Sequence, residues 1–473
     1  MYLHFEDTII APATVPGSGA ISLIRVSGDK ALEYTDSVVR FRKGTASGSE
    51  GYSIHFGTVF MRDGRELDDV LVSIFRAPHS YTGEDCVEIS CHASKYIAEE
   101  IIRLFIDAGA RYAEPGEFTQ RAFAAGKMDL AQAEAVADVI AAGTEAAHRV
   151  AFNQLRGGFS EELKQMRSEL VELTALLELE LDFSEEDVEF ADRSRLNALL
   201  GSLKEHVQRL HDSFRLGNAI KNGVPVAIAG AANTGKSTLL NALLGEDRAI
   251  VSDIAGTTRD TVEDTVNIGG VLFRFIDTAG IRETSDTVEK LGIDRTFRKI
   301  SEAETVLAVV EAGLEEVDFL NNCKEILGHV SLPSQKLIFL LNKTDIAEEF
   351  ACNKNVTTLN NFVSSLDYKV NVFLISAKTG KGLQEVKDCL SETEKQLISN
   401  TDSTFVTNFR HYQALGAAAS SLDEVAAALA SGEPTELVAE HLRDTLSHLG
   451  SITGDIATDE ILGTIFSKFC IGK

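Results

Sequence analysis

The sequence predicts a chain that is part α/β and part α: a small α+β domain at the N-terminus, a helical domain, and a doubly wound α/β domain inserted into the helical one. Three observations carry this. The chain has 473 residues, too many for one hydrophobic core and enough for about three domains. Its first ~120 residues are built from apolar runs of strand length. Beyond them, long apolar stripes at helical spacing flank a segment in which a short buried strand runs through a glycine-rich loop into a helix.

The N-terminal domain is placed at residues 1–120. AISLIRVSG, YSIHFGTVFM, DDVLVSIFRAP and CVEISCH alternate or run apolar over strand lengths, and Tyr96 to Asp107 has helical spacing. Arg25 and Glu88 interrupt two of these strands, and a charge in a strand ordinarily lies on the solvent face. The stretches SYTGEDCVEIS and EPGEFTQRAFAAGKMDL combine glycine with charge between ordered elements. That composition fits a small-molecule pocket or a subunit contact, and both stay open.

The helical domain is expected in two parts, residues 121–216 and 386–473. Ala131 to Phe152 is alanine-rich, with Asp129 as its cap. Leu163, Met166, Leu170, Leu173 and Leu177 recur at alternating spacings of three and four, which is one stripe of a long helix. Ala414–Ala430, Glu436–Leu449 and Asp459–Phe469 read the same way. Such stripes denote core packing. Neither part makes a bundle alone, so one domain interrupted by an insertion is the economical arrangement.

The insertion, residues 217–385, carries the clearest chemistry. From Val224 it reads VPVAIAGAANTGKSTLLNALLG, with Gly230, Gly235, Lys236 and Ser237 in the phosphate-binding-loop pattern between a strand and a helix. The glycines let backbone N–H groups turn toward phosphates, Lys236 supplies a point charge, and the Ser237 hydroxyl suits Mg²⁺. AGTTRD then offers Thr257 and Thr258 as a switch that senses the terminal phosphate. FRFIDTAG reads as a strand ending in Asp277, placed to hold the metal through water, with Gly280 free to turn toward the γ-phosphate. LIFLLNKTD brings Asn342, Lys343 and Asp345, whose carboxylate accepts the paired N–H donors of guanine that adenine lacks. VFLISAKTG supplies Ser376, Ala377 and Lys378, where a backbone N–H meets the guanine O6. Five such stretches in order resemble a Ras-like P-loop GTPase domain. Where many GTPases orient the attacking water with glutamine, this chain has Ile281, so another group must hold it. Arg259 and Arg282 are candidate arginine fingers, and Glu283, Asp286 and Glu289 are acids within the same loop.

Charge constrains the partners. With 45 Lys+Arg against 72 Asp+Glu the net charge is −27, unsuited to strong autonomous binding of nucleic acid, which rests on neutralised phosphates. Action on RNA therefore requires a local basic patch or a basic partner. The six cysteines are scattered, which argues against a disulfide framework and for a reducing cytoplasm. Cys86, Cys91 and His92 lack the further ligands of a structural zinc site. No apolar run spans a bilayer and the N-terminus lacks a leader pattern, so neither membrane insertion nor secretion is expected.

SYTGED, PGEFTQRAF, GTTRD, DTAGIRE and a terminal FCIGK, in this order over essentially the whole chain, resemble the tRNA-modification GTPase MnmE (TrmE) family. The resemblance implies a cytoplasmic homodimer whose N-terminal domain binds folate and dimerises. It implies a GTPase, stimulated by K⁺, that works with the FAD-dependent partner MnmG (GidA) on the wobble uridine of tRNA. The product at C5 is an aminomethyl or carboxymethylaminomethyl group, its one-carbon unit drawn from a 5-formyl- or 5,10-methylene-tetrahydrofolate, and much of the tRNA surface would belong to the partner. Carried over by position, folate contacts fall on Arg25, Glu88, Lys127 and Lys473, and the Mg²⁺ ligands on Ser237 and Thr258. Asn233 with the backbone of Ser252, Ile254 and Thr257 matches the K⁺ site, and Glu289 matches the water-activating acid. The GTP contacts fall on Asn233, Thr234, Gly235, Lys236, Ser237 and Thr238; on Ser252, Asp253, Ile254, Ala255, Gly256, Thr257 and Thr258; on Asp277, Thr278, Ala279 and Gly280; and on the guanine-reading residues already named. The family often has His-Gly-Gly where this chain has His92, Ala93 and Ser94. The tail, Phe466 to Lys473, would form a wall of the folate pocket with Cys470 near the one-carbon chemistry, as nucleophile or as a small buried residue. The alternative is a GTP-dependent regulatory or ribosome-assembly switch, which would leave Arg25, Glu88 and the tail without a task.

Overall fold

A computed structural model describes residues 6–15, 17, 19–182, 193–245, 264–276, 300–332, 334–364, 370–398, 404–456 and 458–472. The chain forms two compact units, one of Met1–Ala137, Gln154–Leu199 and Ser420–Lys473, the other of Asp138–Asn153 and Leu200–Ala419. Among the described residues no helix is long and apolar enough to cross a membrane.

The first unit is built on a seven-stranded sheet. Its strands are β1 (Ile9–Pro12), β2 (Ile21–Ser27), β3 (Val39–Phe41), β4 (Ser53–Phe60), β5 (Glu66–Phe75), β6 (Cys86–His92) and β7 (Arg111–Tyr112), in the order β3-β4-β5-β6-β2-β1-β7. Neighbours are antiparallel except β1 with β7. Period-2 alternation gives each face its own core. Ile10, Ile24, Val26, Val72, Ile74, Val87 and Ile89 pack with helices Ala31–Val38 and Lys95–Ala108 on one face. On the other, Ile9 and Ala11 pack with Ala113 and Phe118 of the segment that enters helix Glu117–Ala124. Part of that second face is open, where Ile21, Ile54 and Leu71 stand exposed.

Helix Gly158–Asp182 packs along helix Thr435–Thr453, burying the expected Leu163, Met166, Leu170 and Leu173. The single helix expected from Ala131 to Phe152 is two, Leu130–Ala141 and Glu145–Leu155. Thr144 causes the restart, because its hydroxyl accepts the Ala147 N–H at 3.2 Å as a cap. The C-terminal helix Asp459–Phe466 is capped by Thr458, and Phe466 and Phe469 bury against Leu130 and Ala133.

The second unit holds a six-stranded sheet: β8 (Val224–Ala229), β9 (Asp264–Ile268), β10 (Val271–Phe275), β11 (Thr305–Glu311), β12 (Lys336–Asn342) and β13 (Asn371–Leu374), in the order β13-β12-β11-β8-β10-β9. All pairs are parallel except β9 with β10. Alternate residues of the central strands feed two cores. Leu307, Val309, Ile338 and Leu340 join helices Lys236–Leu244 and Leu383–Ile398, whereas Val306, Ala308, Phe339 and Leu341 join helices Glu316–Leu327 and Glu349–Ser364. This is the doubly wound arrangement, in which ligands bind beyond the carboxyl ends of the strands. Helix Phe214–Asn222 leads directly into β8.

Candidate functional site

Strand β8 delivers the chain into the loop Gly230–Gly235, and the loop's shape explains its glycines. Gly230 has φ +155°, and a Cβ there would lie 2.2 Å from the Val309 carbonyl oxygen; at Gly235, φ +97°, it would lie 2.3 Å from Asn342 Nδ2. Neither position admits a side chain. Asn233 sits between them in the left-handed region at φ 60°. Lys236 opens the following helix and folds its ammonium over the loop, donating to the carbonyl oxygens of Gly230 and Ala231 at 2.8 Å each. Burial holds its pKa below the ordinary lysine value. Ser237 and Thr238 follow in the helix's first turn, where unpaired backbone N–H groups favour anions.

A second pair of loops meets the first through Asn342. Its side-chain Nδ2 donates to the Thr234 carbonyl at 2.8 Å, and its Oδ1 accepts the Ala377 N–H at 2.9 Å. One buried amide thus fixes the phosphate loop to the loop after β13. Lys343 follows in the left-handed region at φ 67° and pairs with Glu311 at 2.7 Å. Asp345 is exposed and accepts the Ser376 hydroxyl at 2.7 Å. That hydrogen bond, with weaker contributions from Lys378 and Lys343, keeps its carboxyl below the usual range and therefore ionised. Lys378 is exposed beside it. Asn233, Thr234, Gly235, Lys236, Ser237, Asn342, Asp345, Ser376 and Ala377 are thus brought to one end of the sheet. Ser252 to Thr258, Asp277 to Gly280 and Glu289 lie outside the described residues.

The first unit carries a separate constellation. Arg25 and Glu88 are cross-strand partners on the second face of the sheet. Arg25 Nε and Nη2 both donate to Glu88 Oε1, at 3.0 and 2.8 Å. The expected solvent position does not hold for this pair, whose side chains keep only 17% and 22% of their exposure. Tyr81 and Phe118 cause this, with the Arg25 guanidinium 5.0 and 5.6 Å from their ring centres. The C-terminal tail reaches the same place. Arg25 Nη1 lies 3.4 Å from the Gly472 carbonyl, and the Gly116 N–H lies 3.4 Å from that of Cys470. Lys127 stands apart, its exposed ammonium donating to the Pro78 carbonyl at 2.8 Å. Lys473 lies outside the described residues.

The two glycine- and charge-rich stretches are built into each other beside this pair. Arg121, 1% exposed, donates to Glu84, Glu117 and both the carbonyl and carboxylate of Asp7. Glu84 also accepts the Ser27 hydroxyl at 2.7 Å, and the Tyr81 and Thr119 hydroxyls are 2.8 Å apart. Burial pushes the Glu84 carboxyl up, against the pull of Arg121 and Ser27. Arg121, Glu84, Tyr81 and Phe118 lie within the SYTGED and PGEFTQRAF stretches, but the stretches alone assign them no role. Glu117 and Arg121, four apart on one helix and pairing at 2.9 Å, were the available signal. Cys86 and Cys91, buried near the sheet's core, have thiols pushed up to about 12 and about 11 by desolvation, which leaves them unreactive.

A doubly wound sheet whose glycine-rich phosphate loop is tied by a buried asparagine to the loop after the last strand defines a P-loop GTPase. The sequence model of the MnmE helical domain matches residues 130–470, and that of the GTP-binding protein TrmE N-terminus matches residues 8–127. The tRNA modification GTPase MnmE of Bacteroides thetaiotaomicron is 48% identical over 471 residues, 99% of this chain and 100% of that protein. Its counterpart in Christiangramia forsetii is 48% identical over 482 residues, covering 100% of both, and that of Flavobacterium johnsoniae 47% over 473 residues, covering 99% of both. The chain belongs to the MnmE (TrmE) family.

Proposed function

We propose that this protein is a K⁺-stimulated GTP hydrolase acting in tRNA modification. The observation that carries the reading is Asn342, which holds Lys236's loop and the Ser376–Lys378 loop together while Asp345, three residues on, stays ionised for guanine. Specificity for guanine follows from a carboxylate facing two donors. Affinity for phosphate follows from backbone N–H groups and Lys236 at a helix N-terminus.

The fit to Mg²⁺ and K⁺ rests on donor chemistry. The Ser237 hydroxyl stands directly after Lys236 and would hold Mg²⁺ with Thr258. The left-handed turn at Asn233 exposes a neutral oxygen donor of the kind K⁺ takes, and the backbone of Ser252, Ile254 and Thr257 would complete its shell. Bound there, the two cations supply positive charge beside the phosphates. Glu289 would activate the water.

The finer reading is that the enzyme, with MnmG, modifies the C5 of wobble uridine using a tetrahydrofolate one-carbon unit. Arg25, Glu88 and the tail support it. A polar, half-buried ion pair flanked by two aromatic rings suits a ligand with a flat polar ring system. Lys127 and Lys473 would add charge at its acidic end. Ile21, exposed on β2 four strands away from β3, would be covered by a second copy in a cytoplasmic homodimer. The domains would be 1–120, 121–216 with 386–473, and 217–385.

Steady-state hydrolysis in K⁺ and in Na⁺, with Glu289→Ala in parallel, tests the reading. Faster turnover in K⁺ and a variant that binds GTP without hydrolysing it are expected, whereas equal rates in both salts overturn the K⁺ role. Titration with 5-formyltetrahydrofolate separates the folate enzyme from a GTP switch, which would not bind it.

A further inference from the structure

We infer that the outer edge of the N-terminal sheet, strand β3 and the turn after it, is a contact surface for RNA. The inference rests on the tRNA reading and adds a site to it. An RNA substrate must meet positive charge somewhere, and this chain carries −27 overall. Arg40, Phe41, Arg42 and Lys43 form the one four-residue window in the sequence with three cations, and no carboxylate occurs from Ser37 to Ser49. The preceding acid, Asp36, is occupied, accepting the backbone N–H groups of Ala46 and Ser47 at 2.5 and 3.0 Å.

The fold turns this run into a surface. Strand β3 is the first in the sheet order, so one of its sides is unpaired. Arg40 lies opposite Thr58 on β4, and the Arg42 N–H donates to the Phe56 carbonyl, which sets both arginines on one face with Phe56, Thr58 and Phe60. The Arg40 guanidinium sits 4.2 Å from the Phe60 ring centre and that of Arg42 4.2 Å from the Phe56 ring centre. Both arginines and Lys43 are exposed. Among the described residues neither arginine is paired with a carboxylate, and Asp69, opposite Thr58 on β5, accepts the Thr58 hydroxyl at 2.7 Å.

This is a different arrangement from the other arginines nearby. Arg62 pairs with Asp107, Arg65 with Asp63 and Arg76 with Asp85. A guanidinium held 4.2 Å over a ring is already ordered, so it gives up less entropy on meeting a phosphate, and its outer side is left for an unpaired base. Two such platforms side by side with a lysine fit a single-stranded or loop segment of RNA. A protein partner would instead read this edge as a strand or a charged rim.

The test measures binding of bulk tRNA to the full-length protein by fluorescence anisotropy across a salt series. Arg40→Ala with Arg42→Ala is expected to weaken binding by roughly tenfold or more and to lower the slope of log K against log salt by about 1 per arginine. Arg40→Lys with Arg42→Lys is expected to keep the slope and lose affinity, because charge remains and stacking does not. GTP hydrolysis and the elution volume of the protein should be those of the parent. Unchanged tRNA affinity in the alanine variant overturns the site while leaving the tRNA reading intact. Absence of tRNA binding by the parent overturns the site too. A shift in oligomeric state, or loss of a protein partner with tRNA affinity retained, makes this edge a protein interface and equally overturns it.

Discussion

Asn342 and Asp345 sit three residues apart and do opposite kinds of work. Asn342 is buried with both ends of its amide satisfied by backbone, so it builds the site. Asp345 is exposed and touches the protein chiefly through the Ser376 hydroxyl, so its carboxylate remains for a ligand. Asp345→Asn keeps size and shape but replaces an acceptor by a group that is half donor. Loss of two charge-assisted hydrogen bonds, each about 1.5–3 kcal/mol, should weaken GTP binding by roughly a hundredfold or more. Xanthosine triphosphate, which presents a carbonyl where guanosine has its amino group, should lose far less. Competition titrations with a fluorescent nucleotide would check this, and equal losses for the two bases would remove Asp345 from base reading. These residues were legible in the sequence because nucleotide chemistry demands them at set spacings. Glu311, which holds Lys343, and Arg121, which ties three carboxylates, were not. Their roles depend mainly on side chains brought together from distant segments; of Arg121's carboxylate partners only Glu117, four residues before it, is local.

At the scale of elements, strands and helices were legible wherever apolar periodicity was strong. The four N-terminal strands and the stripe from Leu163 to Leu173 occur as read. Two-residue β7 carries no periodicity at all and exists only because Arg111 and Tyr112 pair with Ile9 and Ile10. The break between the helices ending at Ala141 and starting at Glu145 is set by one hydroxyl, which the alanine-rich pattern around it conceals. The C-terminal tail is the element on which the folate reading depends most. Its helix docks through Phe466 and Phe469, and Gly472 then lies flat against Pro12 at φ +95°, where a Cβ would be 2.1 Å from the Pro12 carbonyl oxygen. Gly472→Ala must therefore push the last residues off the sheet, away from Arg25. At least a tenfold loss in 5-formyltetrahydrofolate affinity, about 1.4 kcal/mol, is expected, with GTP hydrolysis unchanged. Calorimetric titration measures it. Parental folate affinity in that variant would detach the tail from the pocket.

At the scale of the whole molecule, each compact unit owns its core and one of the two constellations. The phosphate loop and the loops after β12 and β13 belong to the unit whose sheet is β8 to β13, and Arg25, Glu88 and the tail belong to the unit whose sheet is β1 to β7. A ligand stabilises the part it binds by RT ln(1 + [L]/Kd), about 2.7 kcal/mol at a hundredfold excess over Kd. For units of this size that corresponds to roughly 5–10 °C in the midpoint of unfolding. Differential scanning calorimetry should therefore resolve two transitions that answer to different ligands. A non-hydrolysable GTP analogue with Mg²⁺ should raise one, and 5-formyltetrahydrofolate the other. Asp345→Asn should nearly abolish the first response and keep the second; Gly472→Ala should keep the first and cut the second to about half or less. Which midpoints move decides between separate sites and a shared one, because a ligand that crossed the two units would raise both together. Equal displacement of both transitions by the nucleotide alone would sink the assignment of one ligand to each unit.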